Sequence, residues 1–149
     1  MRTFDCGSAP VTIPMAATIQ IDETVTIRGA GRTSATVNAT AFNAFNSSAS
    51  SVVETFEDMS VVGGVNALNG AIAATRLDFS GGNTVNTLNG AITLSDVTFS
   101  GGSDVNPLGG ASTMTNATMT GGGVNTGTAP IVMTDVSVTG GGVNSSSGA

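Results

Sequence analysis

Lysine, histidine, tryptophan and tyrosine are all missing from this chain of 149 residues. Positive charge is left to four arginines, against ten acids, for a formal net charge of −6. A chain so poor in cations neutralises few phosphates, which argues against nucleic acid as a partner. The same deficit disfavours an anionic membrane surface. No run is long and apolar enough for insertion into a bilayer. Without histidine or lysine, general acid–base chemistry falls to carboxylates alone. No zinc-ligand spacing, nucleophilic triad or cofactor fingerprint is present, and no cofactor is expected. The single cysteine, Cys6, excludes an internal disulfide. A buried apolar thiol is its simpler reading, and pairing between chains the alternative.

Charge of either sign is scarce, at 9% of residues against about 25% in ordinary soluble domains. Glycine, serine, threonine and asparagine take its place. Such a bias can mark disorder, but regularly spaced apolar residues and a mean hydropathy of +0.26 argue for an ordered core. By length this is one domain. The opening MRTFDCGSAP has no charged stretch followed by an apolar core, so no secretion signal is visible. Export by another route, or a processed or trimmed chain, are the alternatives.

What the chain does have is a period. Residues 51–70, 71–90, 91–110, 111–130 and 131–149 are copies of one another, each with a Gly-Gly followed by Val-Asn. A short fixed period means one unit stacked on itself, each touching only its neighbours. In 91–110, Ile92 and Leu94 alternate with polar residues, as do Val97 and Phe99; this is the period of half-buried strands. Ser95-Asp96 and Gly101-Gly102-Ser103-Asp104 are turn chemistry, and Val105 and Leu108 make a third, weaker apolar pair. Three short strands and three corners in 19–20 residues describe one coil of a solenoid. The glycine, threonine and asparagine content defeats a helical reading. A hairpin sandwich would not demand the same residue type at every twentieth place.

The expected architecture is therefore all-β: a single-stranded parallel β-helix of about six coils in one continuous domain. Residues 1–50 form its N-terminal lead-in coils and 51–149 five regular repeats. The central core stack runs Val61, Phe79, Phe99, Met119, Val138, beside a second apolar column, Met59, Leu77, Val97, Ala117, Val136. Ser60, Asp78, Thr98, Thr118 and Ser137 lie between them and face outward. Ile72, Ile92 and Val132 extend the core upstream, and Ile19, Ile21, Val25 and Ile27 show the same alternation. Asn66, Asn86, Asn106, Asn125 and Asn144 each follow a valine, at steps of 20, 20, 19 and 19, with Val37-Asn38 as an earlier member. Asparagine tolerates a left-handed corner, and its amide can bond to its copies above and below. The column reads as a structural ladder, with a ligand-facing amide row as the alternative. The Gly-Gly pairs at 63–64, 81–82, 101–102, 121–122 and 140–141 mark corners that need positive φ.

The opening TFDCGSAPVTIPMAATIQIDETVTIRGAG (3–31), with Thr26-Ile27-Arg28-Gly29-Ala30-Gly31, resembles the lead-in of secreted bacterial β-helix repeat proteins. The chain as a whole is similar to right-handed parallel β-helices of the pectate-lyase-like class. Leu-Asn-Gly-Ala-Ile at 68–72 and 88–92 resembles the G-G-A-I repeats of autotransporter-type surface passengers, although their F-x-x-N partner motif is absent. The resemblance implies an extracellular or cell-surface setting in a bacterium. It implies no single activity.

Lyases and hydrolases on this fold need clustered carboxylates. The acids at hand are Asp58, Asp78, Asp96, Asp104 and Asp135. Asp58, Arg76, Asp96, Asn116 and Asp135 share one column, which reads as a charge-compensated row with Arg76 between two carboxylates. A weak calcium or glycan site near Asp78 and Asp96 is the alternative. Sugars are usually gripped by exposed aromatic faces, and Phe42 and Phe45, in the least regular stretch, read as a plug over a coil. The terminus GGGVNSSSGA shows no cap, so either flanking parts are missing or open ends are meant for one another. The leading expectation is a non-enzymatic structural subunit that joins its own copies end to end into a filament, surface fibre or adhesin. A piece of a polysaccharide-binding or polysaccharide-lyase-like β-helix is second. An ice-binding solenoid ranks third, because the column Ser60–Ser137 is too mixed for a regular threonine array.

Overall fold

A computed structural model describes residues 9–82 and 84–146, apart from the side chains of Ala41 and Phe42. Cys6 and the start of the lead-in motif lie outside the described residues. Thirteen strands follow in order: β1 Val11–Pro14, β2 Ile19–Gln20, β3 Val25–Arg28, β4 Ala35–Ser47, β5 Val53–Ala67, β6 Ala71–Ser80, β7 Thr84–Thr87, β8 Ile92–Phe99, β9 Asp104–Pro107, β10 Ser112–Thr120, β11 Val124–Thr126, β12 Ile131–Thr139 and β13 Val143–Ser145. No helix occurs among the described residues. Every strand pair is parallel, and partners are separated by about one repeat, as in Leu77↔Val97 and Val97↔Ala117. The chain is a parallel β-solenoid.

Each turn has three straight legs. The first two run on as one strand bent at a single residue, in β6, β8, β10 and β12. The short strands β7, β9, β11 and β13 supply the third. The bend explains the burial of β8. Ile92 and Leu94 point inward, Ser95 and Asp96 both point outward, and Val97 and Phe99 point inward again. A residue of positive φ at the bend resets the strand alternation, so both legs keep their apolar face inside. That residue is Asp58, Arg76, Asp96, Asn116 or Asp135, with φ of 50–56° in all five. Aspartate and asparagine tolerate this left-handed conformation better than most residues. The shared column of the sequence is thus first of all a backbone device.

There are about seven turns rather than six. The extra one comes from the lead-in, where β1 and β2 pair with β4 and β3 pairs with β5, making a rung of their own. Both expected apolar columns are stacked in register, and Val61, Phe79, Phe99 and Met119 are buried. The Phe79 and Phe99 rings stack 5.0 Å apart, 10° from parallel. Phe45 is also internal and packs on Phe56 at 4.8 Å, as a plug within the coil.

Five expectations need correction. Val132 is 58% exposed; Ile131 takes its place, in register with Ser112 and through it Ile92, because the repeat before it is one residue shorter than its alignment by block implies. Leu108 is 43% exposed, as are Leu68 and Leu88 to similar extents, so Val105 and Pro107, not Leu108, fill the third leg of its turn. Ile19 is exposed, although Ile21 is buried. The member of the asparagine column before Asn66 is Asn46, not Asn38, because β4 pairs with β5 through register shifts between Asn38 and Phe45 that bring Asn46 opposite Asn66. Lastly, only one glycine of some pairs has positive φ. Gly64, Gly122 and Gly141 are instead places of close approach, where a Cβ would collide with the side chain of Asn43 or with the backbone of the turn above.

Candidate functional site

Three features of the surface and ends could carry function. The first is the amide row on the outer face of the third leg. Asn66, Asn86, Asn106, Asn125 and Asn144 lie mid-strand in extended backbone, not in left-handed corners. Asn66 Nδ2 donates to Asn46 Oδ1 at 2.7 Å, and Asn86 Nδ2 donates to Asn66 Oδ1 at 3.1 Å. Asn125 donates to Asn106, and Asn144 to Asn125, each at 3.0 Å. Upstream, Asn46 Nδ2 donates to Gln20 Oε1 at 2.9 Å. Every one of these bonds points the same way, with the amide nitrogen of one turn on the amide oxygen of the turn before. The row is polar in the sense that a chain of aligned dipoles is polar.

The second is the charged bend column. Arg76 makes a two-pronged bond to Asp58, with Nε on Oδ1 at 2.5 Å and Nη2 on Oδ2 at 2.8 Å. This holds the Asp58 carboxyl below the usual carboxylate range. Asp96 is taken up by Asn116, whose Nδ2 donates to its Oδ1. Arg76 therefore bonds to one carboxylate, not to the two between which the sequence places it. Arg32, on the loop before β4, reaches down the column. It pairs with Asp78 at 3.4 Å and donates to the backbone carbonyl of Asp96. Arg32 thus links the Asp78 carboxylate to the backbone of Asp96, while the Asp96 carboxylate itself is held by Asn116. Among the described residues, no three acidic, histidine or cysteine side chains converge on a point.

The third is the pair of solenoid ends. At the first turn, Ile13, Met15, Ile19, Ile27, Val37 and Phe45 surround a cavity of about 140 Å³ that is almost wholly apolar. At the last, the inward residues of β12 are half-buried where their counterparts in β10 are buried. Val143 in β13 is 49% exposed. Among the described residues, β1, β2 and β3 pair on one side only, and so do β12 and β13.

No family model matches this sequence, and no curated protein or solved structure does either.

One group escaped the sequence reading altogether. Glu54 occupies an inward position of β5, in register with Val25 above and Ile72 below. It is fully buried, and neither carboxylate oxygen has a hydrogen-bond partner. Loss of water pushes its pKa up to about 7. The alternation of SVVETFEDMS carries the signal: Glu54, Phe56, Met59 and Val61 share one face once the bend at Asp58 is allowed for.

Proposed function

We propose that this protein is a non-enzymatic structural subunit whose solenoid continues from one copy into the next, forming a filament or surface fibre. The observation that carries this is the pair of one-sided rungs. A row of unpaired strand edge over an apolar interior is a template for another chain, and proteins ordinarily blunt or cover it. Among the described residues, no helix lies over the edge of β1–β3 or of β12–β13, and none of these strands contains a lysine. The amide row supports the same assembly, because its ends are complementary. Asn144 spends its Nδ2 on Asn125 and offers an oxygen; Gln20 accepts through Oε1 and offers its Nε2. A head-to-tail junction would repeat the bond made within the subunit, the heterologous contact that builds open filaments.

Engagement of Asp58 and Asp78 by arginines supports a structural part for these acids rather than a catalytic one. Few charges and a surface of hydroxyls and amides fit an extracellular or cell-surface fibre. So does the resemblance of the lead-in to secreted bacterial β-helix proteins of the pectate-lyase-like class. Electron microscopy and light scattering of the purified chain test the reading. Thin filaments that lengthen with concentration are expected, and Val143→Lys, which puts a charge on the last rung, should shorten them. Discrete particles roughly 30 Å long at every concentration would overturn it.

A further inference from the structure

The outer face of the first leg carries two adjacent rows dominated by hydroxyl side chains. Thr75, Ser95, Thr115 and Thr134 are register partners in four consecutive rungs. Beside them runs a second row, Ala73, Thr93, Thr113 and Val132. Thr93, Thr113, Thr115 and Thr134 are exposed. Neither row contains a charged or an aromatic residue. The column judged too mixed for a regular array, Ser60–Ser137, belongs to the second leg, where Asp78 and Arg32 interrupt it. The first leg has no such interruption below the Arg28–Glu57 pair.

Geometry makes this face a two-dimensional lattice. Rungs repeat at about 4.8 Å, and outward neighbours along a strand at roughly 6.6 Å. Threonine is β-branched, so few χ1 rotamers are open to it and its hydroxyl and methyl are held in set directions. Each hydroxyl offers one donor and two acceptors. Such a face has little to gain from a flexible polymer, whose groups do not repeat in two directions. It gains from a periodic solid, where each unit of the solid meets an equivalent unit of the protein. Charge narrows the choice. Polyanions and polycations find no counter-charge on these rows, and sugar rings find no aromatic platform. A neutral lattice in which every surface oxygen can donate and accept is complementary. Hexagonal ice is such a lattice, with oxygen repeats of the same order as these.

We propose that the Thr/Ser rows of the first leg, centred on Thr113 and Thr115, are an ice-binding surface. This goes beyond end-to-end assembly and does not depend on it, since the face lies along the solenoid and stays open in a filament. The test is inhibition of ice recrystallisation, together with ice-crystal shaping, by the purified full chain. Wild type should inhibit. Thr115→Lys should raise the concentration needed at least tenfold, while Thr118→Lys, on the second leg, leaves it within twofold. Circular dichroism confirms that each variant is folded, and Thr113→Lys serves as a second lesion of the same face if Thr115→Lys is not. Folded wild type with no effect on ice overturns the proposal. So does an equal loss in the Thr115 and Thr118 variants. Binding to microcrystalline cellulose or chitin without any effect on ice would also overturn it, and would give the face to a polysaccharide.

Discussion

The turns before residue 68 and those after it solve the same stacking problem differently. From β6 to β13 the period holds at 19–20 residues, and columns of identical or similar side chains do the work: Phe79 on Phe99, Asn125 on Asn106, threonine beside threonine. Earlier, the period breaks. β4 and β5 pair through a shifted register. Phe45 and Phe56 meet tilted at 45°, where Phe79 and Phe99 lie nearly parallel. All three ion pairs among the described residues have a partner in this part of the chain. The unpartnered buried carboxyl of Glu54 also lies in this part of the chain. Regular stacking makes like-on-like contact sufficient. Where it fails, charge pairs and irregular aromatic packing compensate for columns that no longer match.

The sharpest way to probe that contrast is to delete an aromatic from each region. Phe99→Ala removes a ring held between Phe79 above and Met119 below in a column with no slack. The loss should be about 3–5 kcal/mol. Phe45→Ala removes a ring that lines the cavity of the first turn, where neighbours have room to relax. Its cost should fall nearer 2–3 kcal/mol, toward the low end of the range for large-to-small changes. Urea unfolding followed by circular dichroism gives both numbers. Equal losses would mean that the lead-in turns are packed as tightly as the repeats.

Glu54 offers the next largest effect, and it belongs to the irregular region alone. Its folded-state pKa of about 7 stands above the ordinary glutamate value of 4.5. The folded chain therefore holds a proton that the unfolded chain releases across that window. Stability is full below about pH 4.5, declines as pH rises, and levels off above about pH 7. At about 1.4 kcal/mol per pH unit, the loss is on the order of 3 kcal/mol. Glu54→Leu, flanked by Val25 and Ile72, should abolish the decline and be the more stable protein at pH 8. Parallel pH profiles for wild type and variant would show that the carboxyl is not desolvated.

The same contrast decides how much could be read from the residues. Where the period holds, pattern maps directly onto structure, because a residue and its copy must occupy the same place in successive turns. The core stack and the asparagine row were legible for that reason. The bend column was legible as a column, but its cause was not: charge suggested an ion-pair row, and the shared property turned out to be positive φ. Asn46 and the added first turn were hidden because the register shift in β4 breaks the spacing. Glu54 was hidden by its type, since an acid next to Thr55 and Glu57 reads as surface until the bend at Asp58 fixes the phase. The threonine rows lie on the first leg, whereas the column weighed for a threonine array, Ser60–Ser137, lies on the second.

The smallest expected effect concerns the amide row, which crosses both regions. Asn66 sits at the boundary and both donates to Asn46 and accepts from Asn86. Hydrogen bonds of this kind contribute about 0.5–1.5 kcal/mol each, so Asn66→Ala should cost about 1–2 kcal/mol. Asn144, exposed and bonded only to Asn125, should cost less than about 0.5 kcal/mol when changed to alanine in the monomer. Assembly reverses the order of interest. If a second copy places Gln20 below Asn144, then Asn144→Ala weakens the junction while leaving the isolated subunit almost untouched. Stability measured at dilution and filament length measured at high concentration would then diverge for this one variant. For Asn66→Ala, the two would fall together.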